Sequence, residues 1–303
     1  MKKFIVTLIY FFFPLLIIGT IMEVSLRKIP NDYAYKKNYL DKNADKVQVL
    51  ILGSSHTYYG INPAYIHYNS FNAAHVSQTL NIDWAILKKY DGKWNALKYI
   101  IIPIDYTSLF ESLDLGVEKW RMRDYDVYSD ISITNDFSNH FAALGNPKIN
   151  LQRLYGFYTN RNYTEITCDE SGFGTAYKYK DREKNLDSSS IIAAQRHLAT
   201  NDNCYQQNIS TLDSIINFAK QKDIKLIFIT CPAYDAYTNL LNNNQLTHVI
   251  NCMNNLSRAI SNVSYHNFLK DSLFSTNDFF DADHLNDSGA KKFTIRIDSL
   301  FLH

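Results

Sequence analysis

The chain has 303 residues, and its 31 basic and 30 acidic side chains leave a net charge of +1 with no long basic run, which argues against nucleic-acid binding. Its 4 cysteines, Cys168, Cys204, Cys231 and Cys252, have no short paired spacing, so neither a metal site nor a redox centre is expected, and no cofactor is implied. The 22 tyrosines and 18 phenylalanines suit stacking on sugar faces and ordinary core packing equally well.

Residues 4–22 are apolar apart from Thr7, Tyr10 and Thr20, and they follow Lys2 and Lys3. As a helix this stretch spans roughly 28 Å, close to the hydrocarbon thickness of a bilayer, and it reads as a membrane helix or a signal peptide. Its length, and the lack of a small-x-small site in Glu23-Val24-Ser25-Leu26-Arg27-Lys28, favour an uncleaved anchor over residues 1–29. Pro14 is tolerable in such a helix. Lys2 and Lys3 favour a cytoplasmic N-terminus, with Arg27, Lys28, Lys36 and Lys37 weighing against it. Residues 30–46 are polar and read as a tether.

Residues 47–52 form a continuous apolar run that reads as a buried strand, and Gly53 permits a sharp exit from it. A short strand at 70–74 follows, then a helix over 75–90 with Leu80, Trp84 and Leu87 on one face, then a strand covered on both faces at 99–105. This alternation predicts a parallel, doubly wound α/β sheet in a domain covering 47–303. Over 106–200 the pattern breaks down, and the region reads as an insertion or lid. Order resumes with a helix carrying Leu212, Ile215, Ile216 and Ala219, a strand at 225–232 stopped by Pro232, a helix at 246–260 and a strand at 263–269. Ser288 is the candidate cap of a closing helix that runs through 300.

Two polar clusters carry the chemistry. Gly53-Ser54-Ser55-His56 falls at the carboxyl end of the first strand, where open α/β sheets place their ligands, and Ser55 is the candidate nucleophile. Asp281-Ala282-Asp283-His284 lies far along the chain. There the three-residue spacing lets Asp281 hold His284 as a general base, while Asp283 reads as solvated or capping; the sequence does not cleanly separate the two aspartates. His56 reads as a substrate contact or as a solvated turn histidine, and Asn72 and Thr79 as hydrogen-bonding the turn or touching substrate. Cys231 reads as a buried small hydrophobe rather than a second nucleophile. In an exported chain Cys168 and Cys204 are candidates for a loop staple, with connectivity left open.

Gly53-Ser54-Ser55, the segment 72–79 and Asp281-x-x-His284 resemble the first, second and fifth blocks of the SGNH/GDSL hydrolase superfamily, in their usual order. The resemblance implies a flavodoxin-like three-layer α/β/α sandwich in which Ser55 attacks an acyl carbon, His284 is the base and Asp281 orients it. Ser54 in place of the first-block aspartate, behind an N-terminal apolar helix, is similar to membrane-anchored members of the alginate acetylation and teichoic acid D-alanyl transfer type. That branch implies an O-acetyltransferase or O-acetylesterase acting on a cell-envelope or exported polysaccharide from outside the cytoplasm, at the periplasm or cell surface. Its implied partners are a cell-surface glycan or acyl donor and a membrane acyl-transfer protein. There are two departures from the pattern. Ser77 stands where the second-block glycine belongs, leaving its backbone N–H as the oxyanion donor, and Ile104-Asp105-Tyr106 stands where the third-block Gly-x-Asn-Asp belongs. An ionised Asp105 cannot donate to an oxyanion. The alternative expectation is therefore a catalytically inactive SGNH-like glycan-binding or assembly protein.

Overall fold

The structure is a computed structural model that describes residues 2–302. The apolar runs form β1 (Val49–Ile51), β2 (Ser70–Asn72), β3 (Tyr99–Pro103), β4 (Lys225–Thr230) and β5 (Val263–Asn267). All pairings are parallel and the order is β2-β1-β3-β4-β5, the flavodoxin-like order of an α/β fold. The chain reverses its winding direction between β1 and β3, so the carboxyl ends of those two strands open the crevice in which such sheets bind ligands.

Around the sheet the chain forms α1 (Lys2–Arg27), α2 (Asp32–Asn43), α3 (Ser55–Gly60), α4 (Leu80–Lys89), α5 (Arg121–Ser129) and α6 (Pro147–Thr159). It continues through α7 (Leu186–Arg196), α8 (Tyr205–Gln221), α9 (Asp235–Leu240), α10 (Asn243–Ala259) and α11 (Asp287–Phe301). Alternate strand residues Val49, Ile51, Ile101, Ile227 and Ile229 pack with Phe293 and Ile297 of α11. The intervening residues Leu50, Ile100, Ile102, Leu226 and Phe228 are also fully buried and face the other way by the pleat, the side on which α4 and α8 pack together. Helices on both faces explain why these strands read as unbroken apolar runs.

Two compact units make up the chain, Met1–Asn38 with Val117–Ile166, and Tyr39–Gly116 with Thr167–His303. The larger unit holds the sheet. In the smaller one Leu26 at the end of α1 is fully buried, Tyr33 meets Tyr125 edge-to-face at 4.9 Å, and Arg153 grips Glu165 through Nε at 2.8 Å and Nη2 at 2.7 Å. The rest of α1 is apolar and exposed, and it is long enough to cross a membrane, as an anchor or as a signal sequence.

Several local expectations change. The polar stretch 30–46 is mostly the helix α2, because Leu40 and Ala44 are buried and Tyr39 stacks on Phe71 at 3.9 Å. Residues 75–79 form a turn ahead of α4, with Ser77 at φ 58°, so the helix begins at Leu80. The cap of α11 is Asn286, whose Oδ1 accepts from the N–H groups of Ser288 and Gly289 at 3.0 Å; Ser288 is already inside the helix. Region 106–200 contains α5, α6 and α7, and its middle part belongs to the smaller unit. Cys204 carries a free thiol, so it is not stapled to Cys168.

Candidate active site

β1 stops at a turn that only glycine permits. Gly53 sits at φ 102°, and a Cβ there would lie 2.2 Å from the Pro103 ring at the end of β3. Thr57 Oγ1 donates to Leu52 O at 2.7 Å, and the Asp83 carboxylate accepts from the Gly53 N–H at 2.9 Å and from Gln78 Nε2 at 2.6 Å. Burial pushes the Asp83 carboxyl up to about 7 against those two donors. The turn delivers Ser55 as the first residue of α3.

Ser55 Oγ meets His284 Nε2 at 2.8 Å. His284 Nδ1 donates to Asp281 at 2.9 Å (Oδ1) and 3.1 Å (Oδ2). The same Oδ1 accepts the backbone N–H groups of Asp283 at 3.1 Å and His284 at 2.9 Å, so the carboxylate is locked by its own turn. With Nδ1–H committed to Asp281, the lone pair of Nε2 faces the serine hydroxyl, the arrangement a general base needs. A stack of rings walls the base. Tyr59 lies 3.8 Å from Tyr177, Tyr177 lies 4.0 Å from Phe280, and Tyr177 turns its plane at 84° to the His284 ring.

A second imidazole stands beside the first, its ring 4.8 Å from that of His284. His56 Nδ1 donates to Asp105 Oδ2 at 2.7 Å, and Nε2 points to Asp283 Oδ2 at 3.4 Å. Burial would depress the His56 pKa, but Asp105 first and then Asp283 outweigh it and hold the ring up at about 10, so it is an imidazolium at neutral pH. Asp105 Oδ1 accepts the Cys231 N–H at 2.7 Å, which fixes the aspartate in turn. Asp283 is buried rather than solvated. Burial would raise its carboxyl, yet the nearby His284 ring and the hydrogen bond and charge of His56 hold it well below the usual range. Arg196 Nη2 approaches the Asp283 carboxylate at 3.6 Å and His197 Nε2 at 3.8 Å. Burial pushes His197 down to about 4, and its Nδ1 hydrogen-bonds Tyr237 Oη at 2.8 Å.

The structure thus brings together Ser55, His284, Asp281, His56 and Asp105. It places Asn72 elsewhere in role. The Asn72 side chain is fully buried, with Nδ2 donating to Thr57 O at 2.8 Å and Ile61 O at 2.9 Å and Oδ1 accepting Ala74 N–H at 3.0 Å; it braces α3. Thr79 is likewise a brace, between Asn81 Oδ1 at 2.6 Å and the Leu113 N–H at 3.2 Å. Ser77 holds a backbone conformation that favours glycine, which explains what its position asks for. The Cys231 thiol is buried, and burial with the Asp105 charge pushes it well up, so it is no nucleophile. Among the described residues His56, Asp283 and His284 bring ligand-type atoms within 4.8 Å of one another. Both nitrogens of each ring are already directed at Asp105, Asp283, Ser55 and Asp281, so the group reads as a hydrogen-bonded relay.

Tyr59, Tyr177, Phe280, Arg196 and His197 have no sequence signal beyond the high tyrosine content. Arg196 and His197 arrive because Ala193 of α7 packs among Tyr106, Tyr237 and Leu241, and Gln245 Nε2 pins His197 O at 3.2 Å.

No family model matches the chain, and no curated protein matches it. Among solved structures, the chain is similar to a candidate platelet activating factor from Streptococcus pneumonia, at 9% identity and a TM-score of 0.44, covering 94% of this chain and 95% of that one. It is similar also to a candidate acylhydrolase from Bacteroides fragilis, at 11% identity and a TM-score of 0.41, covering 88% and 96% of the two chains. A GDSL-like lipase from Bacteroides thetaiotaomicron aligns at 11% identity and a TM-score of 0.39, covering 88% and 97%. With identities and scores this low, the chemistry rests on the chain's own residues.

Proposed function

We propose that the chain is a membrane-anchored serine acyl-transfer enzyme of SGNH type, acting outside the cytoplasm on O-acyl groups, acetyl above all, of a cell-envelope or exported polysaccharide. The observation that carries the chemistry is the chain of contacts from Ser55 Oγ to His284 Nε2 and from His284 Nδ1 to Asp281. His284 takes the Ser55 proton as Oγ bonds to the ester carbonyl carbon, and the carbonyl electron pair moves onto oxygen. Collapse of this intermediate expels the alcohol, which receives the proton from His284, and leaves an acyl-serine. Water or a sugar hydroxyl then gives its proton to His284 and takes the acyl group, while Ser55 Oγ leaves and receives that proton back from His284, which is hydrolysis in one case and transfer in the other. The N–H groups of Ser55 and Ser77 serve the oxyanion, and the His56 imidazolium adds positive charge beside the site in place of the amide donor a third-block asparagine would supply, its own N–H groups being directed at Asp105 and Asp283.

The anchor reading is supported by the length of α1 and by Glu23 and Arg27 of its last turn, which hydrogen-bond Ala143 N at 2.8 Å and His140 O at 2.8 Å within the smaller unit. The glycan is supported by the resemblance of Gly53-Ser54-Ser55-His56 behind an apolar helix and by the tyrosines flanking His284. A catalytically inactive glycan-binding or assembly protein is the second reading. It is favoured by Asp105, whose carboxylate is spent on His56 and Cys231.

The full chain in lipid nanodiscs, treated with a serine-directed phosphonate and assayed with a chromogenic acetyl ester, tests this. The expected result is an adduct on Ser55 and turnover that Ser55→Ala and His284→Ala both abolish. Equal turnover in all three proteins defeats the assignment, and glycan binding with neither adduct nor turnover supports the second reading.

A further inference from the structure

The smaller unit carries an apolar surface that the chemistry does not use, and it lies where α1 ends. Of residues 3–27 in α1, only Gly19, Met22, Glu23, Ser25 and Leu26 are partly or fully covered, and four of these fall on one stripe at helical spacing. The elements of the unit that pack on α1 are the turn Ala142–Leu144 and α6. Glu23 accepts from the Ala143 N–H and Arg27 donates to His140 O, so this end of α1 is a structural member of the unit. Glu23 is also the first charged residue after the apolar run, the point at which a spanning helix leaves hydrocarbon for headgroups. Cover that reaches back to Gly19 extends roughly 6 Å deeper, at 1.5 Å per residue.

α6 is two-sided. Inward, Asn150 is buried with Nδ2 on Ala142 O at 2.9 Å, and Arg153 holds Glu165. Outward, Leu151 is 62% exposed, Tyr155 72% and Tyr158 62%, and they lie on one helical face with Lys148 at its start. Leu144 and Phe137, both exposed, precede it. Leucine with tyrosines and an edge lysine is the mixture that settles at the boundary between acyl chains and headgroups, where the rings are half wet and the lysine reaches outward.

We propose that this face of α6 lies in the bilayer interface beside the point where α1 emerges, so that the smaller unit is a platform resting on lipid. The occupant is the membrane that α1 spans, because the turn leading into α6 is bonded to the last turn of that same helix. The inference rests on the anchor reading and is independent of the esterase chemistry.

The full chain, reconstituted in vesicles of phosphatidylcholine and phosphatidylglycerol that contain a phospholipid with a photoactivated carbene precursor high on its acyl chain, is irradiated and mapped by peptide mass spectrometry. Adducts are expected on peptides from α1 and also on the peptide spanning 149–158. Combining Leu151→Glu, Tyr155→Glu and Tyr158→Glu is expected to cut the second signal at least fivefold and leave the first unchanged. Adducts confined to α1 in the wild-type chain overturn the proposal, including the case in which another protein covers α6. An unlabelled α1 overturns the anchor and this surface together, whereas failure of the ester assay touches neither.

Discussion

At the residue scale two aspartates compete for His284, and geometry separates them. Asp281 is within hydrogen-bond distance of Nδ1, while Asp283 approaches the same nitrogen only to 3.6 Å and serves His56. Asp281→Asn is therefore expected to lower kcat by about 10³–10⁴-fold, because it permits the wrong tautomer. Asp283→Asn is expected to act through His56 with a smaller loss; comparable losses in kcat for the two variants would remove the distinction. His56 offers a pH test. An unfolded imidazole titrates near 6.5, whereas Asp105 and Asp283 hold the folded ring at about 10 against its burial. The folded protein thus keeps a proton that the unfolded chain has released. The stabilisation is whole below about pH 6.5, declines as pH rises and is gone above about pH 10. Thermal melts across that window should show the wild type losing several degrees that His56→Gln, already less stable at neutral pH, does not lose again.

At the scale of elements, the turn after β1 is over-determined. Gly53→Ala forces a left-handed backbone on a β-carbon that also meets Pro103, and about 2–4 kcal/mol of destabilisation is expected by urea titration. Pro103→Ala in the same chain relieves the clash but not the backbone strain, so it should rescue only part of the loss. Asn72→Ala leaves the carbonyls of Thr57 and Ile61 and the Ala74 N–H without their side-chain partner, with an expected cost of about 2–4 kcal/mol. Because Asn72 braces α3 from beneath, KM for an ester substrate should be unchanged in the fraction that remains folded. A large rise in KM there would return Asn72 to the substrate-contact role.

For the whole molecule, the division into units makes the point of truncation matter. Leu26 is core, and Glu23 and Arg27 are hydrogen-bonded within the smaller unit, so removing α1 completely removes part of that unit. A fragment beginning at Pro30 should therefore melt lower, or express less solubly, than one beginning at Met22. Equal melting temperatures for the two would show that the end of α1 contributes nothing to folding.

Much of the fold was legible because it is written in contiguous residues. Buried parallel strands need unbroken apolar runs, a left-handed exit against a neighbouring strand needs glycine, and one turn of chain is enough to join Asp281 to His284. The continuity of 4–22 likewise marks α1. Other features were decided only by tertiary packing. Asp283 looked like a solvated neighbour until His56, 227 positions earlier, was folded against it. Arg196 and His197 reach the site through the seating of α7, and Tyr177 reaches His284 through a stack of three rings drawn from distant segments. Of the two roles open to Asn72, hydrogen-bonding the turn or touching substrate, the carbonyls of Thr57 and Ile61 take up its side chain. Long-range contacts of this kind leave no periodic trace in the chain, because each depends on which surfaces the sheet and its helices bring together after folding, and that is where the charge on His56 is set.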